Sequence, residues 1–253
     1  MPPYKLKPGD VKLKILIYSK PGIGKTALAA TAQDHPNMKD VLFCNIEGGL
    51  TTIAGRGDIE VEDITGFKDL EALFWKLANK EKGYDHFNTV VIDSATELQT
   101  RNLEELVREG VKKKKDRDPD EIYQEDYGKS TTQLKRMFRW FRDLPVNVII
   151  TALPRYSYPK TAQSNPNAEP FEVSPQLTTK LGESVMGYVD MVWYMYKDDD
   201  EVRYLLTREY GPYRAKTRGM KFAEKIGAKI TKPYLPEIYD TYVKSESGLL
   251  IKA

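Results

Sequence analysis

The stretch "YSKPGIGKTALAA", residues 18–30, decides the fold. It nearly spells G-x-x-x-x-G-K-[ST], the loop whose backbone N–H groups wrap a phosphate, with Ser19 where the first glycine is expected. Pro21-Gly22-Ile23-Gly24 supplies the concave run of N–H groups, because glycine accepts positive φ and lets a ligand approach the backbone closely. Lys25 adds a cation for the β and γ phosphates, and the Thr26 hydroxyl is placed for Mg²⁺. The expected binding set is Ser19, Pro21, Gly22, Ile23, Gly24, Lys25, Thr26 and Ala27, with ATP and Mg²⁺ as its ligands. The first position of the motif ends a strand and begins a turn, so Ser19 fits there if its φ is negative.

Outward from this loop, the context is the one the motif requires. "VKLKILIY" (11–18) before it alternates and then turns wholly apolar, as a central strand covered on both faces does, and a helix is expected from about Lys25 to Gln33. "VLFCNI" (41–46), "NTVVID" (88–93) and "VNVIITA" (146–152) read as further buried strands. "DLEALFWKLANK" (69–80) reads as an amphipathic helix burying Leu70, Leu73, Phe74 and Leu77. Residues 94–144 read as largely helical, interrupted near "KKKKDRDPDE", where Asp118-Pro119 can cap and open a new helix whose buried face is Leu134, Phe138 and Phe141. Alternating strands and helices at this spacing predict an α/β fold with a mainly parallel sheet between helical layers. The segment "LPRYSYPKTAQSNPNAEPFEVSP" is too long and polar for a plain connector. Residues 188–219 read as a C-terminal antiparallel β-meander that extends the same sheet, with Asp198 to Asp200 as a hairpin turn. The expected division is a leader (1–10), one core domain (11–232) and a tail (233–253).

Composition narrows the class. The chain has 253 residues, 40% hydrophobic and 30% charged, so disordered and fibrous classes are excluded, while 16 tyrosines are more than such a chain ordinarily carries. A formal charge of +2 confines any nucleic-acid contact to local patches. The single Cys44 cannot form an internal disulfide and the two histidines have no zinc spacing, which favours a reducing, cytoplasmic setting. The longest apolar stretches are strand-sized, so no membrane segment is expected.

A phosphate loop needs a second acid for Mg²⁺ on a neighbouring strand, and "TVVIDS" supplies Asp93 after four apolar positions. An Asp at a strand end can equally cap the next helix, and the loop favours the metal role. The residue that polarises water is a separate question. AAA+ ATPases carry a glutamate directly after this acid, and here Ser94 stands there. The next candidate base is Glu47, at the tip of "VLFCNIEGGL", since strand ends of open α/β sheets face the ligand crevice. Glu97, one turn into the next helix, is the alternative.

With "SKPGIGKT", "VLFCNIEGGL", "VVIDS" and "RAKTRG", the chain resembles the RecA-like core ATPases from about residue 12 to residue 222, especially the compact phage-encoded branch of single-strand annealing recombination. The resemblance implies a three-layer P-loop NTPase core and puts Glu47 at the place of the catalytic glutamate. It also implies that Lys216 and Arg218 form the basic K-x-[KR] element that reaches a neighbouring subunit's γ-phosphate, within a ring or filament that binds ATP between subunits. In that family the loop after the fourth buried strand contacts single-stranded DNA, and here it carries Arg155, Tyr156, Tyr158, Lys160 and Phe171, cations mixed with stacking rings. A phage single-strand-binding protein is a further partner in this reading. RecA's Asn-Gln pair after that strand is missing, and "TALPRY" offers Thr151 as the nearby polar group. The run "VKKKKDR" (111–117) reads either as a second basic patch or as a solvated helix end.

The leading expectation is a Mg²⁺-dependent ATPase that oligomerises on single-stranded DNA and promotes strand annealing or exchange. The alternative is a helicase loader or packaging accessory acting through protein partners. A small-molecule kinase ranks last, because no arginine-rich lid follows Asp93.

Overall fold

Runs of residues that are apolar at every position have to be covered on both faces, and they form the middle of one sheet. The computed structural model describes residues 5, 7–114, 116–160 and 168–247. In chain order the elements are β1 (Lys14–Tyr18), α1 (Lys25–Ala30), β2 (Val41–Asn45), β3 (Glu60–Asp63), α2 (Phe67–Ala78), β4 (Thr89–Asp93), α3 (Ala95–Lys113) and α4 (Gln124–Asp143). They continue with β5 (Asn147–Ala152), β6 (Pro154–Ser157), β7 (Glu172–Pro175), α5 (Thr179–Tyr188), β8 (Met191–Lys197), β9 (Arg203–Leu206), β10 (Lys216–Thr217), α6 (Met220–Ile226), β11 (Lys229–Thr231) and α7 (Leu235–Ser247).

The main sheet runs β11-β9-β8-β1-β5-β4-β2-β3, with β10 beside β8. Pairing is parallel from β8 through β1, β5, β4 and β2 to β3, and antiparallel for β9, β10 and β11. Side chains alternate across it. Ile15 and Ile17 face Leu28, Ala29, Trp193 and Tyr239 in one core layer, while Leu16 and Tyr18 face Phe74, Phe138, Phe141 and Leu181 in the other. The result is the expected three-layer α/β core of a P-loop NTPase. Leu70, Leu73, Phe74 and Leu77 of α2 and Leu134, Phe138 and Phe141 of α4 are all buried, as their helical spacing requires.

Several elements differ from the sequence reading. Stretch 188–219 is not a simple meander: β8 joins β1 in parallel, Ile15 beside Met191 and Tyr18 beside Tyr194, and both β9 and β10 pair with β8. The hairpin turn at Asp198 is present, its Oδ1 accepting the Asp200 and Val202 N–H groups at 3.1 and 2.9 Å. The second long helix starts at Gln124 and not behind Asp118-Pro119, where the Asp118 carboxylate accepts the Asp120 N–H at 2.8 Å within a turn. There Asp126 accepts the Tyr123 N–H at 2.9 Å and pairs with the buried Arg117 guanidinium. In the segment after β5, β6 pairs antiparallel with β7, and residues 161–167 lie outside the described residues. Helix α7 lies within the stretch separated as a tail, yet it packs on the α1 layer through Leu235, Ile238 and Tyr239, and the Leu235 N–H donates to Thr31 Oγ1 at 3.2 Å. The open choice for the last ten residues between a docking segment and an edge strand resolves in part: 244–247 end α7, and 248–253 lie outside the described residues.

Candidate nucleotide site

Strand β1 carries the chain to the loop, and the Ser19 N–H extends its pairing to β5 by donating to Ala152 O at 3.2 Å. Gly22 and Gly24 have φ of 75° and 112°, the left-handed conformations that glycine allows. Ser19 is fully buried and is not among the non-glycine residues with positive φ, so the missing first glycine removes nothing that the turn requires. Its hydroxyl donates to Lys20 O at 2.9 Å, and its carbonyl accepts the Lys25 ammonium at 3.2 Å. Burial lowers the Lys25 pKa, opposed by the negative charges of Glu47 and Asp93.

Asp93, at the end of β4, is the hub of the site. Its Oδ2 accepts the Thr26 hydroxyl at 2.8 Å, its Oδ1 accepts the Thr151 hydroxyl, and its carbonyl accepts the Ile46 and Glu47 N–H groups at 3.0 and 3.1 Å. The alternative role of a helix cap belongs to Ser94, whose Oγ accepts the Glu97 N–H at 3.3 Å. Thr151, considered as a polar group for nucleotide sensing, holds the orientation of this carboxylate.

Pro21, Gly22, Gly24, Lys25, Thr26 and Ala27 line one cleft of about 500 Å³, with Asp93 at its base and Glu47 on its exposed rim. Ile23 lines a different groove on the far side of the loop. Glu97 is turned away and pairs with Arg101 at 3.0 Å. Glu47 is therefore the carboxylate other than Asp93 that faces the cleft among the described residues.

The sequence reading missed Arg203. From β9 its Nε donates to Ile23 O at 2.9 Å and its side chain closes one wall of the cleft. A Cβ on Gly24 would lie 2.9 Å from that Nε, so a side chain there would push Arg203 aside, while the φ of 112° is what calls for glycine. No local pattern marks this residue, since its partner is 180 positions away.

Lys216 and Arg218 are not in the cleft of their own chain. Lys216 pairs with Val192 on β8, and Arg218 donates to Asp190 Oδ1 at 3.3 Å and to Gly187 O at 2.7 Å. Asp190 precedes β8 and donates its N–H to Lys14 O at 2.7 Å, so Arg218 sits where β1 begins, whereas the phosphate loop follows where β1 ends. Burial first, and Arg218 second, lower the Lys216 pKa to about 8, while Asp190 raises it.

The residues expected at DNA divide. Arg155 is held at the β6–β7 pair by Leu177 O at 2.9 Å, Thr179 Oγ1 at 3.2 Å, Ser174 Oγ at 3.3 Å and Glu172 at 3.7 Å. Tyr156 packs against the core, whereas Tyr158, Lys160 and Phe171 are exposed. The basic run 111–117 ends α3 with Lys112 and Lys113, and its Arg117 is buried against Asp126.

The donor set fits a nucleotide with Mg²⁺. A hydroxyl and one carboxylate 2.8 Å apart, in a cleft also lined by the glycine loop and Lys25, suit a metal that relies on substrate phosphates for its other ligands. The described residues contain no group of three or more His, Cys, Asp or Glu that could hold a metal ion. No helix among them is long and apolar enough to cross a membrane. No curated protein matches the chain. Residues 11–219 match a family model described as "AAA domain", which spans β1, the phosphate loop, Glu47, Asp93, Arg203 and the K-x-R element. With that match covering most of its length, the chain belongs to the AAA domain family and carries a nucleotide-binding, P-loop ATPase-type domain.

Proposed function

We propose that the protein is a Mg²⁺-dependent ATPase that assembles head to tail on single-stranded DNA and promotes strand annealing or exchange in phage-type homologous recombination. The observation that carries the assembly is the separation of Lys216 and Arg218 from their own cleft, at the opposite end of β1. A finger at that place reaches the cleft of another copy and not its own, and a contact of one end with the opposite end of the next molecule generates rings or filaments.

In this reading Lys25 and the loop N–H groups hold the β and γ phosphates of ATP, and Glu47 orients the attacking water. Mg²⁺ held by Thr26 and Asp93 would neutralise charge on the β and γ phosphate oxygens. Thr151 keeps Asp93 in place, and Arg218 exchanges Asp190 for the neighbour's phosphate. The DNA side draws support from the exposed rings and cation beside the β6–β7 pair, Tyr158, Phe171 and Lys160.

The test is fluorescence anisotropy of labelled oligo-dT with and without ATP across a salt series. Binding that falls steeply with salt supports the reading, because phosphate contacts release counterions. Absence of binding at low salt in both conditions rejects it and favours an accessory ATPase that acts through protein partners.

A further inference from the structure

A second groove among the described residues is larger than the nucleotide cleft. On the other side of the phosphate loop lies a groove of about 720 Å³, within the range of ~300–1,000 Å³ that encloses small ligands, lined by Tyr194, Tyr196, Tyr210 and Tyr213, with Lys20 and Lys229 among its cations. It absorbs part of the tyrosine excess that the nucleotide site leaves unexplained. The rings form a row: Tyr213 stacks on Tyr194 with centroids 4.4 Å apart, Tyr194 runs parallel to Tyr196 at 6.2 Å, and Tyr196 stacks on Tyr204 at 5.3 Å.

The charges point to an anionic ligand. The Lys229 ammonium lies 4.5 Å from the Tyr204 ring centre and that of Lys20 lies 6.0 Å from the Tyr156 ring centre. Among the described residues neither has an ion-pair partner, and both are exposed. Of the acids nearby, Glu209 pairs with Arg214 at 3.2 Å, Asp198 accepts the Tyr204 hydroxyl at 2.8 Å and Glu201 pairs with Lys197, while exposed Asp200 lies near Tyr204 at the β8–β9 turn. The rings of the row spend their faces on one another, so the ring open to a base is exposed Tyr210, and an open ring with uncommitted cations nearby matches bases joined by phosphates. The surface also continues beyond the groove. Val173 of β7 donates to Pro212 O at 2.7 Å and accepts the Arg214 N–H at 2.9 Å, which ties the Tyr210–Tyr213 turn to the β6–β7 pair flanked by exposed Tyr158 and Phe171.

We infer that this tyrosine groove is the seat of single-stranded nucleic acid and that the phosphate loop is its wall, so that nucleotide and strand are coupled through Lys20 and Ile23. The inference rests on the single-strand reading above and assigns it a surface. Lys20 belongs to both sites: its carbonyl accepts the Ser19 hydroxyl at 2.9 Å and the Lys25 ammonium at 3.4 Å, while its side chain faces the rings. Ile23 lines the groove, and its carbonyl is held by Arg203 from the cleft side. Coupling through this wall needs no glutamine of the RecA type. It is also reciprocal: ATP changes strand affinity by the factor by which the strand changes ATP affinity, on the order of 5–150-fold for typical linked sites.

The experiment uses the full chain and a Tyr210→Ala/Lys229→Ala variant, both changes being at exposed positions. Labelled oligo-dT should bind the variant at least about tenfold more weakly, for one lost stacking ring, with a salt slope lower by about 0.7 for one lost phosphate contact. Oligonucleotides carrying 5-bromodeoxyuridine should cross-link to groove peptides. Wild-type protein that binds oligo-dT while the variant binds equally well, with cross-links elsewhere, overturns the groove and leaves the single-strand reading standing. Wild-type protein that does not bind oligo-dT overturns both. Competition by dTMP as effective as that by the oligomer makes the groove a mononucleotide pocket and overturns the strand assignment.

Discussion

At the end of β1, Lys25 is buried in the loop and held by the Ser19 and Lys20 carbonyls. Just after β10, Arg218 is half exposed and held by Asp190 and Gly187 O, beside the start of β8. The proposed mechanism sends both cations to the same phosphates, one in its own subunit and one in the next. The parallel strands β1, β4 and β5 around the first are buried at every position, whereas the two-residue β10 that leads to the second is only half-buried. In that mechanism the cation that is in place before substrate arrives follows a fully buried strand, and the cation that exchanges partners follows a half-buried one.

Breaking the finger first gives the largest expected effect. Arg218→Ala should lower ATP turnover by roughly 10³–10⁵-fold in assembled protein, the range of a charge-stabilising finger. Mixed assemblies of Arg218→Ala and Lys25→Ala subunits should regain activity, since some interfaces then combine an intact loop with an intact finger. Mixed assemblies that stay inactive would put Arg218 in a merely structural role. In the cleft, Glu47→Gln should lower turnover by about 10²–10⁴-fold while ATP affinity stays close to wild type, as for loss of a base. Normal turnover would remove Glu47 from the chemistry.

Phe141→Ala sharpens the contrast in stability. Phe141 is 1% exposed in the layer shared by α2, α4 and the sheet, so its truncation should cost about 3–5 kcal/mol in urea unfolding. An exposed edge change such as Tyr210→Ala should leave the midpoint nearly unmoved.

The smallest effect is a pH dependence. With the Lys216 pKa lowered from 10.5 to about 8, the folded chain sheds a proton between those values that the unfolded chain keeps. Stability from this group therefore rises with pH over that window, while the charge it can offer a phosphate falls. Turnover of the wild type should decline above about pH 8, and Lys216→Arg should hold it level. A decline that persists unchanged in Lys216→Arg belongs to another group.

The same division separates what could be read in advance from what could not. The nest at Gly22 and Gly24, Lys25, Thr26 and Asp93 were legible because strand, turn and helix follow one another without a break and the motif residues are contiguous. Glu47 was legible from its place at a strand end. Strand β3, "EVED", was not, because an edge strand open to solvent carries charge instead of an apolar pattern. The β6–β7 pair was hidden by its polar sequence, and the inward turn of Arg155 depends on Leu177 and Thr179, more than twenty positions on.

The sequence by itself determined the buried strands, the phosphate loop and the acid opposite it, since each follows from neighbouring residues and their periodicity. Only the tertiary structure decided that Arg203 closes the cleft, that Lys216 and Arg218 lie beyond its reach, and that four tyrosines line one groove behind the loop. Those facts depend on which strands lie side by side. Pairing is set by the packing of the whole sheet and leaves no trace in any single stretch.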